Sequence, residues 1–327
     1  MRYWKPFKSI FWSWLAMISI VIFGIVGCMS FDYLTQVEDT YPKAEQCGKC
    51  HIDIYREWSQ SPHANSFISN TFKQATNAYQ FADCLGCHAP LPTLSSQEPS
   101  PRTADRQEGV TCVSCHLEEG KMSGPLDPTG KVAPHPINVS KDRYRQSQFC
   151  GRCHQGTLRE LQAASPSQHQ SCQDCHMPEV QRKVTQPTDF MSKIIVSMEK
   201  VVEQKQHLFT IDPNYLAEAP FQMECRKNAN TLTVILKNLL PHTLPTGDFG
   251  VRIVTFQMVA LRTDHTEVVL GKFELVKEIK TALGAGSSRT WNFTLPPNVQ
   301  AIRGTLFRHG RQGQHFLKLY SQEVSLK

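Results

Sequence analysis

The chain has 327 residues, which is enough for two domains of ordinary size and an export segment. Hydrophobic residues make up 40% of it, so a packed core is possible over part of its length. The formal net charge of +6 does not indicate a nucleic-acid-binding protein, because Arg2, Lys5 and Lys8 at the extreme N-terminus carry three of those charges. The unusual features are 12 cysteines and 13 histidines.

Residues 1–28 have the pattern of a targeting segment. The three basic residues are followed by an uncharged, mostly apolar run from Ser9 to Val26, and the segment ends in Gly27-Cys28. This ending resembles a bacterial lipoprotein box, in which the chain is cleaved before the cysteine and lipid is attached to its sulfur. We therefore predict a lipoprotein signal with Cys28 as the lipidation site.

An uncleaved membrane anchor and an ordinary cleaved signal are the alternatives for this segment. An 18-residue helix is about 27 Å long, which barely spans a bilayer. All three interpretations place the rest of the chain outside the cytoplasm, in the periplasm or on the cell surface. Met29 after the cysteine favours the outer membrane, and residues 29–46 are predicted to form a short tether.

Ten of the 12 cysteines belong to five copies of Cys-x-x-Cys-His, where about 0.02 copies are expected by chance from the composition. This pattern is typical of covalent haem attachment, because the two thiols reach the two vinyl groups of one porphyrin and the histidine supplies a ligand to the iron. The copies are Cys47-Gly-Lys-Cys50-His51, Cys84-Leu-Gly-Cys87-His88, Cys112-Val-Ser-Cys115-His116, Cys150-Gly-Arg-Cys153-His154 and Cys172-Gln-Asp-Cys175-His176.

Zinc and structural disulfides are the alternative roles for such cysteine pairs. Zinc sites normally take four ligands from two pairs, whereas five is an odd number, and a disulfide gives the following histidine no role. The sequence thus predicts five haem c groups, which we number by motif. Their propionates bring the mature protein to a net charge of about −2 with ferric iron.

The five motifs lie within residues 47–189, which we predict to be a pentahaem cytochrome c domain. With about 26 residues per haem, the porphyrin rings must serve as its core. Frequent Pro and Ser between motifs favour loops and short helices, with helices expected near Ile52–Ser59 and Arg143–Cys150.

Residues 190–327 are predicted to form an antiparallel β-sandwich. Leu232, Val234 and Leu236 alternate with polar residues, as do Trp291 and Phe293. Gly and Pro breaks separate these runs from one another and from a strand-like segment over residues 316–324, a spacing that is typical of a sandwich. Cys225 lies in this region and is predicted to be a buried residue and not a reactive thiol.

The second axial ligand of each iron separates an electron carrier from an enzyme. A six-coordinate iron changes oxidation state with little rearrangement, whereas an open position lets a substrate bind. A single histidine is usually a surface or hydrogen-bonded residue, but five irons shift that expectation toward ligation. The candidates for the distal ligands are His63, His135, His207, His242 and His169.

Three segments carry a resemblance to a known group of proteins. The first motif, with Trp58 and Ser61-Pro62-His63-Ala64, resembles the multihaem cytochromes grouped with cytochrome c-554 and hydroxylamine oxidoreductase. Cys172-Gln-Asp-Cys175-His176-Met177-Pro178 is similar to the last haem motif of that group. His242-Thr-Leu-Pro245-Thr246-Gly247 is similar to a loop of β-domains that follow such haem domains.

The resemblance implies that His242 reaches back from the β-domain to a haem, and that His63 and His207 are also distal ligands. The sequence departs from the group in several ways. Pentahaem nitrite reductases have Lys in one motif where all five here have His, hydroxylamine oxidoreductase has more haems and a Tyr cross-link, and Pro241 stands where Gly is common. The resemblance therefore supports the architecture more than a catalytic activity.

The favoured hypothesis is an extracytoplasmic electron carrier with mostly bis-histidine haems. Its expected partners are a quinol-oxidising complex, a terminal reductase or an outer-membrane conduit, with no nucleic acid among them. The alternative is an oxidoreductase in which one open haem reduces a small nitrogen or sulfur oxyanion, and a polymerising structural subunit is a third possibility.

Overall fold

The computed structural model describes residues 14, 17, 18, 41–94, 98–127, 135–164, 171–209, 219–247, 252–308 and 317–326. Cys28, most of the predicted signal, residues 29–40 of the predicted tether and the candidate ligand His169 lie outside these residues. Within the described ranges, no helix is long and apolar enough to cross a membrane.

Short helices joined by loops make up the first part of the chain. The predicted helix near Ile52–Ser59 is observed over Ile52–Gln60, and the one near Arg143–Cys150 is a 3₁₀ turn followed by a helix over Ser147–Gly151. The helices that the structure describes are α1 (Ala44–Gly48), α2 (Ile52–Gln60), α3 (Asn70–Ala75), α4 (Leu85–His88), α5 (Cys112–His116), α6 (Ser147–Gly151), α7 (Gln155–Ala163), α8 (Cys172–His176) and α9 (Phe190–Ser197).

Side-chain packing between these helices is sparse. The described buried apolar cluster here consists of Ala44, Trp58 and Ala64, with Tyr55 and Cys112 against it. Helices of four to nine residues present too little apolar surface to stabilise one another by packing alone. This region therefore needs a further source of buried apolar surface.

Strands dominate the second part of the chain. Five short strands precede this part: β1 (Leu117–Glu118), β2 (Lys121–Gly124), β3 (Ile137–Val139), β4 (Glu179–Arg182) and β5 (Val202–Lys205). Those within it are β6 (Phe221–Asn228), β7 (Thr231–Asn238), β8 (Ile253–Arg262), β9 (Glu267–Val276), β10 (Ser288–Thr294), β11 (Val299–Arg308) and β12 (Leu317–Ser325).

Strands β6–β12 form two antiparallel sheets, in the orders β10-β7-β6 and β12-β11-β8-β9. They share one apolar core, whose largest fully buried side chains include Phe256, Met258 and Ile302. Leu232 and its alternate neighbours on β7 are buried while Thr231 is exposed, as the alternation predicts. The predicted antiparallel sandwich is confirmed.

A pair of antiparallel strands lies between the two parts of the chain. Strand β4 follows the last haem motif and pairs with β5, with Glu179 opposite Lys205, and α9 lies in the connection between the two strands. The predicted domain division at residue 190 falls inside this connection, and the first strand of the sandwich begins at Phe221.

Candidate haem sites

The five Cys-x-x-Cys-His motifs adopt two local structures. In motifs 1 and 4 a nine-residue helix follows the motif, and His51 or His154 is its N-cap. In the other three motifs the helix ends at the histidine itself, as α4, α5 and α8 end at His88, His116 and His176. All five proximal histidines therefore lie at helix boundaries, where local hydrogen bonds fix the backbone.

Motifs 3 and 5 begin with a capping box. Ser171 accepts a hydrogen bond from the Asp174 backbone N–H at 3.2 Å, and the Asp174 carboxylate accepts one from the Ser171 backbone at 3.1 Å. Thr111 and Ser114 are paired in the same way ahead of His116. These residues satisfy the free N–H groups of a one-turn helix, so each motif forms its turn with local partners.

Four proximal histidines each face a different predicted distal histidine. A metal–imidazole nitrogen bond is about 2.0–2.1 Å long, and the nitrogen lies about 1.1 Å from the centroid of its ring. Two imidazoles that bind one metal ion from opposite sides therefore have ring centroids about 6.3 Å apart. The four observed centroid separations are His51–His135 at 6.4 Å, His63–His154 at 6.3 Å, His116–His207 at 6.1 Å and His176–His242 at 6.4 Å. Each gap has the width that an iron ion between two imidazoles requires.

Backbone carbonyls fix the tautomer of three proximal rings. A carbonyl oxygen only accepts, so the Nδ1 atom of each ring carries the proton and the Nε2 lone pair is left for a metal. The contacts are His51 Nδ1 to Val184 O at 3.0 Å, His88 Nδ1 to Ser66 O at 2.8 Å and His116 Nδ1 to Ser123 O at 2.8 Å.

Burial favours the neutral form of the four distal candidates that face a proximal ring. It lowers the pKa of His63 to about 3, with further lowering by the nearby His154 and His88, and it lowers the pKa of His207 to about 3 as well. The pKa values of His135 and His242 are also lowered, chiefly by burial. Neutral imidazole is the form that binds a metal, so the electrostatics suit ligation.

The thiols of different motifs lie close together, although no disulfide links any of the eleven described cysteines. Three hydrogen-bonding contacts join Cys47 to Cys112, Cys150 to Cys172 and Cys153 to Cys87. The attachment sites of motifs 1 and 3, 4 and 5, and 2 and 4 are therefore neighbours. Site 4 lies next to both site 2 and site 5.

The surroundings of His88 in motif 2 differ from those of the other four. The ring of Phe72 stacks on the His88 ring with the centroids 3.9 Å apart and the planes 13° from parallel. Phe72 also contacts Tyr79, which stacks on Phe67 at 4.4 Å. His169, the remaining distal candidate, lies outside the described residues.

Cys225, which was predicted to be buried, lies in the β-domain, as does His265. Cys225 on β6 is half-buried and packs against the sandwich core, and burial raises the pKa of its thiol to about 11. Its thiol is therefore protonated at neutral pH, as expected of a residue with no nucleophilic role. His265, in the turn between β8 and β9, is exposed.

Three polar residues that hold the candidate distal histidines or their loops were not predicted from the sequence. Glu57 accepts a hydrogen bond from the His207 backbone N–H at 2.9 Å, and Glu160 accepts one from the Thr243 N–H at 2.9 Å. The buried Asn238 side chain donates to the His242 carbonyl at 2.9 Å. An available signal was the Arg-Glu pair that follows His51 and His154 at the same spacing.

Comparisons with known proteins found similar sequences and a similar fold. Residues 46–117 match the family described as cytochrome c554 and c-prime. A cytochrome c-552 from Haemophilus ducreyi is 27% identical over 124 residues, a match that spans 36% of this chain and 23% of that protein. The crystal structure of a penta-haem cytochrome c552 from Thermochromatium tepidum superposes with a TM-score of 0.59 at 18% identity, over 87% of this chain and 99% of that one. The chain thus carries c-type haem-attachment motifs, is similar over residues 46–117 to cytochromes c554 and c-prime, and shares its fold with a penta-haem cytochrome c552.

Proposed function

We propose that the chain is an extracytoplasmic electron-transfer protein that carries five covalently bound haem c groups. The ten motif cysteines would hold them, with His51, His88, His116, His154 and His176 as proximal ligands. When bound, haem supplies one-electron redox chemistry at an iron whose potential depends on its axial ligands and surroundings. The observation that carries the proposal is the set of four facing imidazole pairs, 6.1–6.4 Å apart.

The facing pairs favour electron transfer because of what the side chains do. His135, His63, His207 and His242, as distal ligands of sites 1, 4, 3 and 5, would close the positions where a substrate could bind. Their side chains are half-buried and burial favours the neutral ring, so a change of iron charge would require little movement of the protein. The thiol contacts would bring the cofactors of sites 1 and 3 close together, and likewise those of sites 2, 4 and 5.

His169 is our proposed distal ligand for site 2, opposite His88. We further propose membership of the wider group that contains cytochrome c-554 and hydroxylamine oxidoreductase, on the motifs quoted above. Attachment to a membrane through Cys28 would place the protein in the periplasm or at the cell surface. A quinol-oxidising complex, a terminal reductase or an outer-membrane conduit would be its redox partner.

Three measurements on the full mature protein test the proposal. Its intact mass should exceed that of the polypeptide by five haem groups, and a pyridine haemochrome spectrum should show thioether-linked haem. Electron paramagnetic resonance of the oxidised protein should show five low-spin haems. A high-spin component that shifts when nitrite or cyanide is added would instead favour the oxidoreductase alternative, with one open site, and a mass without five haems would refute the cofactor assignment.

A further inference from the structure

Helices α2 and α7 occupy equivalent positions in motifs 1 and 4. Both are nine residues long and start directly after the proximal histidine, and the N-cap dihedral angles are −93° and 55° at His51 and −98° and 51° at His154. An Arg-Glu pair follows each histidine by five and six residues, namely Arg56-Glu57 and Arg159-Glu160. Because the helices start alike, Glu57 and Glu160 lie at the same place relative to their proximal histidines.

Glu57 binds both the backbone of His207 and a buried cation. Its Oε2 atom accepts the His207 N–H at 2.9 Å, and its two oxygens pair with the Arg182 guanidinium at 2.5 and 3.0 Å. The two side chains are 16% and 11% exposed, so this bidentate pair is shielded from water. A second hydrogen bond, from Arg182 to Gln204 on β5, holds the guanidinium in place.

Glu160 makes the corresponding contacts in motif 4. Its Oε2 atom accepts the N–H of Thr243, the residue after His242, at 2.9 Å, and its Oε1 atom pairs with Lys277 Nζ at 2.8 Å. Lys277 also donates to the Gly247 carbonyl at 3.0 Å, so both ends of the loop that carries His242 are tied to one carboxylate–ammonium pair.

The two glutamates connect two of the three pairs of sites that the thiols connect, namely sites 1 and 3 and sites 4 and 5. Glu57 lies on the helix after motif 1 and holds the backbone of His207, which faces His116 of motif 3. Cys47 of motif 1 touches Cys112 of motif 3. In the same way, Glu160 lies on the helix after motif 4 and holds the loop of His242, which faces His176 of motif 5. Cys150 of motif 4 likewise touches Cys172 of motif 5. Sites 1 and 3 and sites 4 and 5 are thus two copies of one arrangement.

We propose that Glu57 and Glu160 are equivalent positioning residues, each of which holds the distal ligand of the neighbouring haem in its pair. The inference rests on the proposed function. Neither carboxylate reaches an imidazole. Each instead fixes the backbone from which the ring projects, while its cationic partner orients the carboxylate. Ligation at sites 3 and 5 is thereby tied to the helices of sites 1 and 4.

The test uses the haem-loaded full chain with Glu57→Ala and Glu160→Ala. Each variant should convert one low-spin haem to a high-spin or cyanide-binding form, and added imidazole should restore the low-spin signal. Arg56→Ala and Arg159→Ala are matched controls, because these exposed residues adjoin the glutamates on the same helices. The controls should leave the spectrum unchanged.

Double variants assign each glutamate to its site. Glu57→Ala combined with His207→Ala should show no more high-spin haem than His207→Ala alone, whereas Glu57→Ala combined with His242→Ala should show the sum of the two. Additive behaviour with His207→Ala would overturn the inference. Spectra of both glutamate variants identical to the parent would also overturn it, although low-spin signals in the parent would still support the proposed function.

Glu57→Gln and Glu160→Gln cover the case in which the alanine variants do not fold. The amide oxygen still accepts the backbone N–H, but the charge-assisted contact with Arg182 or Lys277 is lost. Cyanide should then bind about tenfold faster or more than in the parent protein. Cyanide binding at the parental rate in both Gln variants would overturn the inference.

Discussion

Asn238, at the end of β7, offers the sharpest test of how the sandwich presents His242. Its side chain is completely buried, and its Nδ2 group donates to the carbonyls of His242 at 2.9 Å, Leu283 at 2.9 Å and Gly284 at 3.1 Å. Its Oδ1 atom accepts the Leu240 N–H at 3.0 Å. Asn238→Ala would leave these buried backbone groups without the side chain that satisfies them.

The size of the effect follows from the number of groups affected. The Asn238 side chain has two N–H donors, shared among three carbonyls, and its Oδ1 atom accepts one further hydrogen bond, so about three full hydrogen bonds are lost. Each buried group that is left unsatisfied costs about 1–3 kcal/mol. Partial relaxation and water entry reduce that sum, and we expect a loss of about 3–4 kcal/mol in the free energy of unfolding. The loop that carries His242 should loosen at the same time.

Urea denaturation followed by Trp291 fluorescence measures the stability, and electron paramagnetic resonance reports the ligation at site 5. Asn292→Ala is the matched control, because Asn292 is an exposed residue on neighbouring β10 that makes one side-chain hydrogen bond, to Thr233 at 2.8 Å. The control should change stability by about 0.5 kcal/mol or less. If the two variants lose similar free energy, Asn238 does not support the loop and the reasoning is refuted.

Three further predictions can be checked by standard measurements. Gly109 has φ +64° and its Cα adjoins the His63 carbonyl, so Gly109→Ala should lower the free energy of unfolding by about 1–3 kcal/mol in denaturation experiments. Burial raises the pKa of Glu160, but its hydrogen bonds to Lys277 and Thr243 outweigh this and leave the pKa below its ordinary value. The contact therefore stabilises the fold above about pH 4.3 and is lost as the pH falls through the lowered pKa, and acid titrations of Lys277→Met should lack this component. Prolonged treatment with EDTA should leave the unfolding temperature unchanged, because thioether-linked haem is not removed by a chelator, whereas loss of stability would support the zinc alternative.

The attachment motifs and the β-strands could be predicted because their signals are local. A thiol pair and the following histidine carry their chemistry within five residues, and the alternation of Leu232, Val234 and Leu236 reflects a strand with one buried face. The boundary at residue 190 was harder to place, because the pairing of β4 with β5 depends on partners some 20 residues apart in the chain.

The sequence alone determined the number and positions of the haem-attachment motifs and the sandwich, since residue type and short-range spacing encode both. Only the tertiary structure decided which histidine faces which motif, because the facing partners come from distant loops whose positions depend on the packing of the whole chain. It also decided the roles of Glu57, Glu160 and Asn238. A buried glutamate or asparagine has the same letter as an exposed one, and its function appears only when the groups it binds are brought together.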